Sequence, residues 1–102
     1  MAQSAAGEPR NEDALSQLRA DAADCRACPL WEIGTQTVFG AGPADAKLCF
    51  IGEAPGQQED ECGLPFVGPA GQLFEEALDH AGLQREHVYV TNVVKHRPSV
   101  TL

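Results

Sequence analysis

The 102 residues predict an α/β fold, a strand–loop–helix–strand unit on a parallel sheet, preceded by an N-terminal helix. Three observations predict it. Lys47-Leu48-Cys49-Phe50-Ile51 is a short run apolar on both faces, the mark of a parallel strand covered on both sides. A loop rich in glycine and proline follows it, then a stretch whose apolar residues recur at helical spacing. His87-Val88-Tyr89-Val90-Thr91 is β-branched and aromatic and closes the unit as a second strand.

The elements follow in order. Residues 1–11 read as a disordered lead-in, small and polar, without the surface to bury. Asn11 suits an N-cap, and Glu12 and Asp13 favour the first turn of a helix. Leu15, Leu18 and Ala22 then place a helix over Glu12 to Asp24. Cys25-Arg26-Ala27-Cys28 follows, and Pro29 stops the helix from continuing. Trp31 to Gly42 reads as irregular, with Thr37-Val38-Phe39 as a short extended piece. Gly52 ends the first strand. Pro69 suits a first helical position. Leu73, Phe74, Ala77, Leu78 and Ala81 form an apolar stripe, and Gly82 caps that helix. Val93-Val94 extends the second strand. One domain, residues 12–102, accounts for the rest of the chain.

Composition narrows the function. Hydrophobic content of 43% and charged content of 22% suit a soluble globular protein. No apolar run approaches the roughly 20 residues of a membrane span, and the N-terminus lacks a signal peptide's basic and apolar regions. A cytoplasmic location follows as the expectation. The net charge of −8 argues against nucleic-acid binding driven by bulk charge. Arg85, Lys95 and Arg97 against Glu86 soften this from Gln84 onward. The Glu59-Asp60-Glu61 run reads as a solvated loop rather than a cation site.

The loop GEAPGQQEDECGLPFVGPAG, residues 52 to 71, holds more than turns require. In a βαβ unit, ligands bind beyond the carboxyl ends of the strands. Glu53 lies just past the first strand and Asn92 near the end of the second. Neighbouring parallel strands bring both to one rim, with Phe66 in the loop above. Read singly, each has a plainer role: Asn92 a turn former, Phe66 a loop anchor, Glu53 a surface carboxylate. The helix start at Gly68, Ala70 and Gly71 suits a phosphate on its free N–H groups. A phosphate loop of the Walker type fails, because no Gly-Lys-Ser/Thr follows the glycines.

Taken in order, CxxC, GEAPG, ED, GLPFVGPAGQL and VYVTNVVKHRP resemble the iron–sulfur uracil-DNA glycosylases. Family-4 and the so-called class X enzymes are the two neighbours. GEAPG and Arg97-Pro98 look like the first; TQTVFGAG and Lys95-His96 look like the second. The resemblance runs from Cys25 to Pro98. It implies part of a three-layer α/β/α domain, the N-terminal half only, and a truncated chain. Such a half leaves a strand edge unpaired and one sheet face half covered, so weak folding or aggregation is the expectation.

The resemblance also implies roles. Uracil in DNA is the substrate, and base-excision repair the setting, in a bacterial, nucleoid-associated protein. Phe66 stacks on the base and Asn92 pairs with its edge, since an amide offers both donor and acceptor. Ala54 lines the uracil site, and Glu59 stands where the thymine methyl is crowded out. Glu53 is the catalytic carboxylate, near the positive charge that builds on the sugar. The histidine that donates to the leaving base in that family has no match, so the chain as it stands is expected to be inactive.

CxxC is compatible with an iron–sulfur cluster, zinc or thiol redox chemistry. By resemblance Cys25, Cys28 and His96 are ligands of a 4Fe-4S cluster, with zinc as the alternative. Cys49 reads as a small core residue, and Cys62 as incidental. His80 and His87 carry no motif and read as exposed. Two other readings stand beside the glycosylase one: a non-catalytic CxxC metal-binding or DNA-binding remnant, and an unrelated nucleotide-binding βαβ domain.

Overall fold

The computed structural model describes residues 11–98. Its elements are α1 (Asn11–Ala23), α2 (Leu30–Ile33), β1 (Cys49–Gly52), α3 (Gln57–Cys62), α4 (Pro69–His80), a single 3-10 turn (Arg85–His87) and β2 (Tyr89–Asn92). The lead-in expected over residues 1–11 lies outside the described residues except for Asn11, which opens α1.

β1 and β2 pair in parallel, in the register Cys49↔Tyr89, Phe50↔Val90, Ile51↔Thr91 and Gly52↔Asn92. The α/β unit is therefore as expected. Parallel strands need a crossover, and the segment from α3 through α4 supplies it. Beyond β2 the pairing continues from one side: Val93 N–H reaches Gly52 O at 2.9 Å and Val94 N–H reaches Glu53 O at 3.0 Å. Ala41 bridges Val90 from the opposite side, antiparallel. The 37–39 piece has no strand pairing of its own, although Val38 is fully buried.

Side chains alternate across a strand. Phe50, Val90 and Asn92 face one side of the sheet, where Leu78, Val88 and Val90 form the core with Phe50, Phe66, Phe74 and Leu83 packed against it. The Phe74 ring joins the layers, 5.1 Å from Phe50 and 5.2 Å from Phe66 between centroids. On the other face Ile51 is 65% exposed and Cys49 is exposed as a free thiol. The expectation that β1 is covered on both sides is thus corrected, and with it the reading of Cys49 as a core residue. An apolar run shows what a strand could bury, not how many layers cover it.

Four further expectations change. α2 interrupts the stretch read as irregular. Glu59-Asp60-Glu61 is helical, and two of its three carboxylates are buried. His87 belongs to the 3-10 turn, so β2 starts two residues later. Leu18 and Leu73, assigned to apolar stripes, are 56% and 68% exposed. Gly82 does close α4 in the left-handed conformation, and His80 and His87 are exposed as expected.

Candidate functional site

The loop after β1 is held by one carboxylate. Glu59, at the third position of α3, reaches back to accept the Gly56 N–H at 3.0 Å, the second half of a capping box. Its other oxygen accepts Val67 N–H at 2.9 Å and Gly68 N–H at 2.8 Å. One side chain thereby ties the start of α3 to the start of α4. Burial works to raise the Glu59 pKa, but the backbone hydrogen bonds, that from Gly68 foremost, outweigh it and hold the group below its ordinary value. Asp60 is buried beside it. Its Oδ1 accepts Thr35 N–H at 2.7 Å and Gln36 N–H at 3.3 Å, anchoring the segment after α2 under α3.

Phe66 sits at φ 55°, in the left-handed region that costs a residue with a Cβ about 1–2 kcal/mol. Two features accommodate it. The Arg85 guanidinium donates to Phe66 O at 2.8 Å and to Pro65 O at 2.5 Å. Gly71, in the first turn of α4, leaves room for the same carbonyl, since a Cβ there would stand 2.0 Å from Phe66 O. Gly52 does the like for the ring. A Cβ at residue 52 would stand 2.5 Å from Asn92 Oδ1 and 2.6 Å from Phe66 Cζ.

Between these groups lies a cavity of about 410 Å³, within the range of small-ligand sites. Ala54, Glu59, Phe66, Gly68, Ala70 and Asn92 are among its lining residues. Asn92 is 3% exposed. No described residue hydrogen-bonds its amide, whose donors and acceptor are left to whatever enters the cavity. Glu59 is the one carboxylate in the lining, and both its oxygens are occupied by backbone N–H groups.

Glu53 is exposed and outside this lining. Gly71 is buried, against Phe66. The Gly68 N–H is committed to Glu59, whereas those of Ala70 and Gly71 lie in the first turn of α4, beyond the reach of intrahelical carbonyls. Arg85 and Lys95 turn inward: the Lys95 ammonium donates to Thr91 Oγ1 at 2.5 Å and Asn92 O at 2.7 Å, and burial lowers its pKa. Little of the basic excess after Gln84 is therefore presented to solvent.

Cys25 and Cys28 are exposed. Cys25 lines a second cavity, of about 160 Å³, together with Thr37 and His96. His96 is 8% exposed, with Nε2 3.0 Å from Thr37 Oγ1. Among the described residues no group of three His, Cys, Asp or Glu side chains is arranged to hold a metal ion. A 4Fe-4S cluster takes four protein ligands, and the described residues do not bring such a set together.

Arg85, Gly52 and Asp60 are the residues that sequence reasoning missed. Arg85 carries no local signal, because its partners lie 19 and 20 residues away. Gly52 reads only as the end of a strand. The capping glutamate had a faint signal, since Gly56 stands three residues before Glu59.

A family model for the Uracil DNA glycosylase superfamily matches residues 39–101. The chain is 44% identical over 87 residues to the Type-4 uracil-DNA glycosylase of Sulfurisphaera tokodaii, covering 84% of this chain and 40% of that protein. It is 51% identical over 74 residues to the Type-4 uracil-DNA glycosylase of Thermotoga maritima, covering 72% and 38%. The corresponding protein of Archaeoglobus fulgidus is 46% identical over 86 residues, covering 84% and 43%. A parallel βαβ unit with a cavity beyond its strand ends thus falls within a known class, and the chain belongs to the uracil-DNA glycosylase superfamily. It spans about two fifths of the length of the curated relatives it matches.

Proposed function

We propose that the cavity between Phe66 and Asn92 is the uracil site of a DNA glycosylase of base-excision repair. The observation that carries the reading is the amide of Asn92, a residue only 3% exposed, free of described protein partners on the wall of a cavity that also holds an aromatic ring. Uracil presents a carbonyl and a ring N–H on its pairing edge, and a carboxamide matches both. Cytosine offers the opposite pattern and leaves buried groups unpaired, which is the stronger source of selectivity. The base must leave the stack to reach such a pocket, and stacking on Phe66 repays part of that cost. Ala54 adds a small apolar wall. Ala70, exposed in the first turn of α4, offers its N–H group to a phosphate of the strand, whereas Gly71 is buried.

Glycosidic cleavage develops positive charge on the sugar and negative charge on the departing base. Glu53, one residue past Gly52 and exposed at the strand end, is assigned to the sugar side, where a carboxylate offsets the positive charge and orients water. Glu59 is assigned to shape the pocket rather than to exchange protons, because its oxygens are already occupied. Cys25, Cys28 and His96 are assigned to metal binding as a separate reading, with iron–sulfur first and zinc second. Iron counting and the absorption spectrum of anaerobically purified protein test it. A cytoplasmic location accords with the described residues, in which no helix is long and apolar enough to cross a membrane.

One observation favours a second reading, a base-binding module without catalysis: the lining contains recognition groups and no free carboxylate. Release of uracil from single-stranded uracil-containing DNA, measured beside binding of the same DNA, separates the two. Release that is lost in Glu53→Gln supports the enzyme. Selective binding without release supports the module.

A further inference from the structure

We infer that Arg85 is a positioning residue for the Phe66 ring. The inference rests on the reading of Phe66 as the stacking face, and concerns what holds that face in place. Successive carbonyls along an extended chain point to opposite sides. The left-handed turn at Phe66 brings the Pro65 and Phe66 carbonyls within reach of one planar cation. Arg85 meets them with two separate nitrogens, Nη1 to Phe66 O at 2.8 Å and Nη2 to Pro65 O at 2.5 Å. Its guanidinium also lies 5.5 Å from the centroid of Phe74, the ring against which Phe66 packs. The same head group thus fixes the Phe66 backbone and caps the aromatic support beneath its side chain.

Arg85 stands just ahead of β2, the strand that carries Asn92. The fork therefore ties the loop bearing the stacking ring to the strand bearing the amide, and sets the width of the pocket between them. Lysine cannot substitute, because an ammonium is a point donor without the planar fork. Glu75 approaches Nη1 only at 3.6 Å and is 59% exposed, so it is an accessory to the guanidinium and not part of the fork.

The test uses the 102-residue chain and three variants, Arg85→Lys, Arg85→Ala and Glu75→Gln. NMR couplings give the sign of φ at Phe66, and NOEs report contact of its ring with the Gly52 α-protons. Amide exchange in β1 and β2 reports whether the fold persists. The expected result is that Arg85→Lys, with β1 and β2 still protected, loses the positive φ and the ring–Gly52 NOE, while Glu75→Gln keeps both. Titration with free uracil should then show affinity reduced about tenfold in Arg85→Lys and unchanged in Glu75→Gln. Where Arg85→Ala does not fold, Arg85→Lys, which keeps the charge and the aliphatic stem, decides. A folded Arg85→Lys with Phe66 still at positive φ and still against Gly52 overturns the inference. The NMR readout needs no ligand. If uracil does not bind the unaltered chain but Arg85→Lys still releases the ring, the reading of the cavity fails while the fork stands.

Discussion

Gly52 and Asn92 are register partners across the parallel strands, and the side chain that Gly52 lacks is the space that Asn92 and Phe66 occupy. Adding one methyl there sets a Cβ 2.5 Å from Asn92 Oδ1. Gly52→Ala should displace the amide or the ring and abolish uracil binding. Overpacking of this kind costs about 1–3 kcal/mol, which urea denaturation reads as a lower midpoint. A Gly52→Ala chain with full affinity would contradict this account of the pocket floor.

Asn92→Ala removes the group assigned to the pairing edge. It leaves no described hydrogen bond of the fold broken, so stability should change little. Discrimination between uracil and cytosine should fall by about tenfold or more, as for any site that loses a paired polar group. Competitive titration with the two bases checks it.

Glu59→Gln should weaken the loop. The carboxylate accepts Gly56, Val67 and Gly68 N–H groups, and a hydrogen bond to a charged group contributes about 1.5–3 kcal/mol. The sign of the pH dependence follows from the direction of the shift. The folded-state pKa lies below the ordinary value of 4.5. The stabilisation is therefore fully present above the unfolded pKa and fades as pH falls through the folded one. Stability measured from pH 6 downward should drop in the acid range below about pH 4, and that part of the drop should be missing in Glu59→Gln.

Asp60→Ala should destabilise the chain by about 1–3 kcal/mol, because it leaves the Thr35 and Gln36 N–H groups without their acceptor. Thermal melts of the single variant suffice. A neutral effect would mean that water replaces the carboxylate at no cost.

The periodic features were legible from residues alone. An apolar run located β1 and a β-branched, aromatic run located β2 within two residues, Pro69 and Gly82 bracketed α4, and strand topology put Asn92 at the cavity with Phe66 in the loop, while Glu53, expected on the same rim, stands outside the lining. Much of the rest was hidden by chemistry that pattern does not carry. Three consecutive acidic residues signal solvent unless backbone N–H groups are waiting for them, and those on Thr35, Gln36, Val67 and Gly68 come from distant parts of the chain. Cys49 looked internal because its neighbours are apolar, yet the 39–40 segment that lies over Tyr89 and Thr91 on the same face of the sheet leaves Cys49 and Ile51 exposed. Arg85 looked like part of a basic segment and proved to be turned onto two carbonyls. The roles of Glu53, Phe66 and Asn92 came from resemblance; the geometry adds where each of them stands.

The central claim is that the Phe66–Asn92 cavity selects uracil. The most direct measurement is an NMR titration of the 102-residue chain with free uracil and, separately, with cytosine. The account predicts saturable shifts with uracil at Gly52, Ala54, Phe66 and Asn92, and none with cytosine at the same concentration. Shifts that are equal for both bases, or that fall outside this cavity, would contradict it.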